Sequence, residues 1–222
     1  MGTMAVPALA LLVDPRVAAA IMLPILCCMD LVTLRAFRGQ WDLKIVKVIV
    51  PAAAGGIALG TLSFRYLSAD HIRFIIGTFS IYVAVQQLSN SALANNDLVP
   101  SASKLAGRIW GAASGFSSFV AHAGGPPLSI YLLPLRLDKS IVVGTSALFF
   151  AIVNALKLIP YALLGQLHFE NLKVSLILLP VAPIGVLLGV FLHRRISNHI
   201  FYSMSYTILG LIGIKLILES LI

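Results

Sequence analysis

The stretch FVAHAGGPPLSIYLLP, residues 119–134, decides the fold, because it interrupts an apolar run with Gly-Gly-Pro-Pro. A continuous helix does not tolerate this sequence, since proline lacks an amide hydrogen and its ring clashes with the preceding turn. Pro126 and Pro127 instead suit the first turn of a new helix, where an amide has no intrahelical partner anyway. The stretch therefore predicts two helical segments separated by a break.

The composition around this stretch is that of an integral membrane protein. The 222 residues are 59% hydrophobic and 11% charged, with a mean hydropathy of +0.97, whereas soluble domains are about 25% charged. Several runs reach the roughly 20 apolar residues that span a bilayer. The net charge is +8, and the basic residues lie singly or in pairs between these runs. This distribution is typical of basic cytoplasmic loops and argues against a nucleic-acid partner. The fold class predicted is therefore an all-α, polytopic membrane protein.

Polar residues divide the chain into predicted helices. Residues 3–13 form a short apolar stub, residues 109–135 form the broken run, and residues 89–104 form a polar loop. The other predicted membrane helices cover residues 17–34, 43–64, 72–88, 141–164, 172–192 and 200–218. We expect the broken run to cross the membrane once, because about 40 Å of helix suits a tilted crossing. The distribution of Lys and Arg slightly favours the alternative, a re-entrant hairpin.

The two halves of the chain resemble each other. WDLKIVKVIVPAAAGGIALG (41–60) matches ENLKVSLILLPVAPIGVLLG (170–189), and a nearby offset pairs Asp14 with Asp138 and Asp30 with Asn154. This predicts two repeats of about four helices, at residues 1–88 and 105–222, with 89–104 as linker. The first repeat begins where the second one breaks. We therefore expect further apolar residues upstream of Met1, or a second protomer of a homo-oligomer filling the gap.

The break predicts an anion-binding site. In lipid, irregular backbone survives only where it is buried in protein or lines a cavity, and a helix N-terminus attracts anions. We expect the amides of Leu128, Ser129 and Ile130 to point into the break, with a second N-terminus at Thr3 and Met4 by the repeat, so that an anion is held without a buried cation. The predicted substrate-binding residues are Gly124, Gly125, Pro126, Pro127, Ser114, Ser118, His122, Thr3 and Met4.

Several of these polar residues have a structural alternative. Ser114, Ser118 and His122 lie at i, i+4 and i+8, on one helix face. Serines in membrane helices often only bond back to the preceding turn, whereas a histidine in mid-membrane is a functional candidate by default. Asp30 lies inside an apolar run, and we predict an ion-coupling role for it and for its repeat mate Asn154. The alternative for Asp30 is an interfacial pair with Arg35 or Arg38.

The segment GAASGFSSFVAHAGGPPLSIYLL, with Ser114, Gly115 and residues 124–127, resembles the sulfite exporter TauE/SafE family. SADHIRFIIGTFSIYVAVQQL resembles that family's fourth helix, and Gly2, Met4 and Pro7 match the tail of its first motif. The resemblance covers nearly the whole chain. It implies a multi-pass permease of a bacterial cell membrane that moves sulfur-containing anions, such as sulfite or organosulfonates.

Together these observations predict a secondary transporter for a small anion, with lipid as its other partner and with no catalytic residues, cofactor or metal. No nucleotide-binding G-x-x-x-x-G-K-[ST] motif occurs in the sequence. One alternative is an anion channel or a non-transporting membrane module. A less favoured alternative is an intramembrane serine protease, because Ser114 and His122 would lie about 12 Å apart along one helix, too far for a nucleophile and its base.

Overall fold

The structure is a computed structural model of the chain. It describes residues 6, 8–64, 66, 70–71, 74, 77–78, 80–82, 84–85, 103–132, 135, 137–195 and 198–221. These residues are helical or lie in turns and connections, with no strand among them. The helices with defined bounds are α1 (Pro15–Ala36), α2 (Leu43–Phe64), α3 (Lys104–Ala121), α4 (Gly125–Leu132), α5 (Lys139–Leu163), α6 (Phe169–Leu178), α7 (Val181–Arg195) and α8 (Asn198–Ser220).

Helices α1 and α5 begin in the same way. Asp14 precedes α1 in an extended conformation, and its carboxylate accepts a hydrogen bond from the Arg16 amide at 2.8 Å. Asp138 precedes α5 with nearly identical backbone angles and accepts from the Ser140 amide at 2.8 Å. In both places a carboxylate satisfies one of the amides that a helix start leaves without a partner.

Within the described part of the chain, three helices are long and apolar enough to cross a membrane. They are Pro15–Ala36, Leu43–Ser63 and Ser140–Leu163. Helices α6 and α7 make a fourth candidate if they are taken together as one span, bent by 43°. The described part of the chain is thus all-helical, with three or four membrane-compatible spans.

Glycines allow α2 and α3 to pack with their backbones nearly in contact. A Cβ atom added to Gly56 would lie 2.0 Å from the carbonyl oxygen of Ala112, and one added to Gly115 would lie 2.1 Å from that of Ala53. Gly111 is similarly close to the α2 backbone. Since residues 49, 53 and 60 of α2 meet residues 111, 115 and 119 of α3 in that order, the two helices run parallel. Small residues at such contacts drive helix association in lipid, where burial of apolar surface does not.

Helices α3 and α4 form a hairpin, so the single crossing expected for residues 109–135 is wrong. A Cβ atom on Gly107, near the start of α3, would lie 2.8 Å from the ring of Tyr131, near the end of α4. A helix continuing in one direction would separate these residues by more than about 30 Å. The chain therefore reverses between Ala121 and Gly125, and α4 returns along α3. This is the re-entrant arrangement that the distribution of Lys and Arg favoured.

Helix α5 runs beside the hairpin in the same direction as α3. Near its start, the hydroxyl of Thr145 accepts a hydrogen bond from the Asp42 amide at 2.9 Å, just before α2. Further along, Lys157 and Tyr161 reach residues 118, 119 and 122 at the hairpin turn. Helix α1 packs against α5 in the opposite direction, because Asp30 meets Asn154 while Ala19 meets the hairpin turn. The turn is therefore enclosed by α1 and α5.

Most predicted helices lie where the sequence placed them, within a few residues. The helix predicted over 172–192 is wrong as one continuous segment, because the chain bends at residues 179–180, between α6 and α7. Pro180 lies at this bend and removes a backbone donor there. In the stub 3–13, the described residues 6 and 8–10 are helical and residues 11–12 form a turn. The described residues of the predicted helix 72–88 (74, 77–78, 80–82 and 84–85) are helical, and the loop 89–104 lies outside the described residues except for residues 103 and 104.

Candidate functional site

The candidate site lies at the hairpin turn between α3 and α4. His122 ends α3 in the left-handed conformation, with φ of 49° and ψ of 27°. Its amide donates to the Ser118 carbonyl at 3.1 Å, and the Ala123 amide donates to the Ser117 carbonyl at 3.2 Å. A left-handed residue is a common way to stop a helix, but glycine or asparagine usually supplies it. A histidine in this conformation is uncommon and is a reason to examine its side chain.

The turn is closed from inside by Ser114 and Gly124. The Ser114 hydroxyl donates to the Gly124 carbonyl at 2.7 Å, ten residues along the chain. A Cβ atom on Gly124 would lie 2.8 Å from both the Ser114 carbonyl oxygen and the Ser118 Cβ. The close packing of the turn against α3 therefore requires glycine at position 124.

The start of α4 offers fewer free amides than expected. The Leu128 amide donates to the Gly124 carbonyl at 3.3 Å, so the prediction that it points freely into the break is wrong. Ser129 and Ile130 lie beyond the first turn, where amides bond within the helix. Pro126 and Pro127 have no amide hydrogen, which leaves Gly125 as the one donor of the first helical positions. The attraction of this helix end for an anion is correspondingly weak.

The buried ring of His122 has a partner at each nitrogen. Nε2 lies 2.9 Å from the carbonyl oxygen of Ala19 on α1, and Nδ1 lies 2.8 Å from Nζ of Lys157 on α5. Because a carbonyl oxygen can only accept, Nε2 carries the hydrogen and Nδ1 accepts from the lysine. The histidine thus joins the hairpin turn to α1 and α5 together. Neither ring nitrogen is bonded to Ser114, as the protease alternative would require.

Lys157 places a buried amine at the turn. The residue is 0% exposed, and Nζ donates to the Ser118 carbonyl and the Ser118 hydroxyl, both at 3.0 Å, besides its contact with His122. These three contacts use the three hydrogens of an ammonium group. Within the described residues no carboxylate lies within ion-pair distance of it. The turn thus contains a buried amine that the sequence-based description of the site did not include.

Asp30 and Asn154 form a second polar contact between α1 and α5. The Asn154 amide nitrogen donates to Asp30 Oδ2 at 2.6 Å, so the partner of Asp30 is Asn154 rather than Arg35 or Arg38. Asn154 lies one helical turn before Lys157, on the same face of α5. The charges of Asp30 and Lys157 are close enough to interact. A polar path thus follows α5 from Asp30 to the hairpin turn.

The structure brings most of the predicted residues together. Ser114, Ser118, His122, Gly124 and Gly125 lie at the turn, with buried Pro127 beside them. The Pro126 side chain lies outside the described part of the chain. Thr3 and Met4 lie outside the described residues, so the second N-terminus stays a prediction.

Sequence reasoning missed Lys157 and Tyr161. Lys157 is the one charged residue in the apolar segment 140–164, and an isolated charge in such a segment is a sufficient signal. The hydroxyl of the fully buried Tyr161 donates to the Phe119 carbonyl at 2.8 Å. It satisfies a backbone group near the end of α3 and helps to hold α5 against the hairpin.

A second concave region lies on the outside of the α2–α3 pair. It has a volume of about 430 Å³ and is lined by Lys47, Val48, Pro51, Ala52, Lys104 and Arg108. The three basic side chains are exposed. They stand near the helix starts, away from the turn, so this region and the enclosed site are separate features. No group of three or more metal-binding side chains was found among the residues that the structure describes.

Comparison with known proteins gives a family but no individual relative. No curated protein sequence and no solved structure matches the chain. The family profile of the sulfite exporter TauE/SafE matches residues 1–216 of 222. That match includes both sides of the hairpin turn and α5 with Lys157. The chain belongs to the sulfite exporter TauE/SafE family, a family of membrane transporters.

Proposed function

We propose that the protein is a secondary transporter for a small sulfur-containing oxyanion or organosulfonate in a bacterial cell membrane. Membership of the family supports the class of substrate. One observation of this chain supports the site, which is the fully buried Lys157 at the hairpin turn with no carboxylate within ion-pair distance among the described residues. A buried amine with no carboxylate in direct contact is costly, and an anionic substrate would place a negative charge directly against it.

In this proposal, the anion binds against Lys157 on the inner side of the hairpin turn. Its oxygens would replace one or more of the acceptors that the ammonium now uses, since all three hydrogens are occupied in the structure. The Gly125 amide and the Ser118 hydroxyl are the other donors close by. Asp30 and Asn154 take the ion-coupling role, with the carboxylate as a relay for a cation or proton.

The two-repeat organisation, with boundaries 1–88, 89–104 and 105–222, is part of the same proposal. It is supported by the matching aspartate caps of α1 and α5 and by the hydrogen bond between the repeat mates Asp30 and Asn154. In such transporters the substrate binds at the interface of the two repeats. The contact between α1 and α5 is that interface here.

The test is transport by the purified protein in liposomes. The wild-type protein should take up sulfite or an organosulfonate with saturation and should exchange internal for external substrate. Lys157→Gln should lose at least about 90% of uptake, because each charge-assisted contact contributes about 1.5–3 kcal/mol. Lys173→Gln is the matched control, since the Lys173 side chain is 55% exposed and contacts only surface groups among the described residues, the Glu170 carboxylate and the Phe169 ring.

The result also separates the alternatives. A channel would show no saturation and no exchange, and a non-transporting module would show neither uptake nor binding. Full uptake by Lys157→Gln would contradict the proposed site even if the wild-type protein transports sulfite.

A further inference from the structure

We propose that the Lys157–His122 pair takes up one proton from solution whenever the anion binds, so that anion and proton move together. This inference rests on the proposed function and adds the coupling site to it. The pair consists of two bases whose nitrogens lie 2.8 Å apart, buried between α3 and α5. The inference rests on the hydrogen bonds that these two side chains make.

The hydrogen bonds limit the empty site to one proton between the two nitrogens. His122 Nε2 donates to Ala19, so Nδ1 is the only position at which the ring accepts a further proton. Nδ1 is already occupied by a hydrogen of Lys157. A second proton would place two positive charges at hydrogen-bond distance in a water-poor interior, where like charges repel strongly. The two bases therefore titrate as one unit.

Anion binding removes this limit. When an anion accepts a hydrogen bond from Lys157 Nζ, the lysine gives up one of its three present acceptors. We infer that it gives up His122 Nδ1, because this is the acceptor that can itself take up a proton. The negative charge of the anion offsets the second positive charge. Nδ1 then accepts one proton from solution, and His122 becomes a second donor toward the anion. One anion and one proton enter the site, and no covalent bond is made or broken apart from the N–H bond.

The other polar groups around the pair do not offer an equivalent proton site. Ser118 on α3 and Tyr161 on α5 act as hydrogen-bond partners of Lys157 and the Phe119 carbonyl. On α1, the titratable side chains that interact electrostatically with Lys157 are the Asp30 carboxyl and the Cys27 thiol. Asp30 accepts a hydrogen bond from Asn154, which lies one turn before Lys157 on α5. This position suits Asp30 to pass the proton to or from the pair, rather than to hold the proton beside the anion.

The test is isothermal titration calorimetry of the full chain in detergent with sulfite, repeated in phosphate and in Tris at one pH. The two buffers differ in their heat of ionisation, so the difference in binding heat gives the number of protons taken up. We expect about one proton per anion for the wild-type protein. His122→Gln should bind sulfite more weakly, because it removes a donor to the anion, and the binding that remains should lose this proton uptake. His168→Gln is the matched control, since His168 is an exposed histidine that makes no side-chain cap contact at α6, and its uptake should equal that of the wild type.

The outcomes separate this inference from the proposed function. Sulfite itself gains a proton near neutral pH, so uptake retained in His122→Gln would assign the proton to the anion and overturn the inference. If His122→Gln does not fold, the same titration is made on the wild-type protein with methanesulfonate, which stays ionised and cannot itself take up the proton. Binding of methanesulfonate without proton uptake overturns the inference. In both cases the anion still binds and the proposed function stands. Absence of binding by folded wild-type protein with every probe would instead contradict the proposed function, and this inference with it.

Discussion

At the scale of single residues, His122 both shapes the backbone of the hairpin turn and contacts the buried Lys157 amine. Its left-handed conformation stops α3, and a conformation of this kind costs of order 1–3 kcal/mol for a residue other than glycine. The contacts of its ring with Ala19 and Lys157 hold it there. Replacing this residue thus removes both the link to α1 and the acceptor for the buried lysine.

Asp30 is the residue through which we expect a proton gradient to act. Asp30→Asn keeps the size of the side chain and can still accept from Asn154, but it removes the negative charge. Transport driven by a pH gradient should therefore be lost, while exchange of internal for external substrate continues. Uptake into liposomes with and without an imposed gradient measures both. Unchanged gradient-driven uptake would leave Asp30 with a structural role only.

The contact between Asp30 and Asn154 can be tested by exchanging the two side chains. Asn154→Asp alone would place two carboxylates 2.6 Å apart and should destabilise the protein by about 3 kcal/mol. The double variant Asp30→Asn with Asn154→Asp restores one carboxylate and one amide. We expect it to recover most of the lost thermal stability, measured as the unfolding temperature in detergent. Equal loss in the single and double variants would mean that the contact does not stabilise the fold.

At the scale of elements, the glycines of α2 and α3 determine how the hairpin is held. Gly107, Gly111 and Gly115 recur every four residues on α3 and face the closely packed α2 backbone or the Tyr131 ring. This lets α2 support the whole length of the hairpin. Lys157 and His122 can then meet across the α3–α5 contact, because α3 is fixed from its other side.

Adjacent glycines of α2 provide a matched test of this packing. A Cβ atom on Gly56 would meet Ala112 and Phe116 backbone atoms at 2.0 and 2.8 Å, whereas one on Gly55 would meet nothing within 4 Å. Gly56→Ala should lower the stability by about 1–3 kcal/mol through overpacking. Gly55→Ala should be neutral or stabilising by up to about 1 kcal/mol through helix propensity. Equal unfolding temperatures for the two variants would contradict the close packing of α2 and α3.

Most helix positions could be predicted from the sequence. The direction of the chain after the break and the pairing of Lys157 could not, for different physical reasons. The helix predicted over 43–64 is α2 with the same bounds, and α3 and α4 are separate helices within and before the quoted stretch 119–134. The direction of the chain after the break was not accessible, because 27 residues fit either one tilted crossing or a hairpin. The contact of Tyr131 with Gly107 and the hydrogen bond between Ser114 and Gly124 distinguish them. The pairing of Lys157 with His122 was missed because it depends on how α5 packs against α3.

At the scale of the whole molecule, α2, α3 and α5 begin at the same end of the helical bundle. The hairpin starts at that end, turns after about 27 Å of α3, and returns. Basic residues are concentrated at these helix starts, including Lys44, Lys47, Lys104 and Arg108, so this end is expected to be cytoplasmic. The turn then offers an enclosed site deep in the protein rather than at its surface.

Cysteine labelling tests this topology. In a background with Cys27 and Cys28 replaced by serine, single cysteines at Ser103 and Leu137 should both react with a membrane-impermeant maleimide from the same side. A single crossing would place them on opposite sides. Labelling of intact cells and of inside-out vesicles gives the side for each position. Reaction from opposite sides would contradict the re-entrant hairpin.

The central claim is that the substrate anion binds at the hairpin turn against Lys157. The most direct measurement is a crystal structure of the protein with selenate or selenite, read at the selenium absorption edge, because the anomalous signal locates the anion without prior assumptions. The account predicts a selenium peak inside the molecule, with an anion oxygen within about 4 Å of Lys157 Nζ, and its loss in Lys157→Gln. A peak found only at the exposed groove of Lys47, Lys104 and Arg108, with none at the turn, would contradict it.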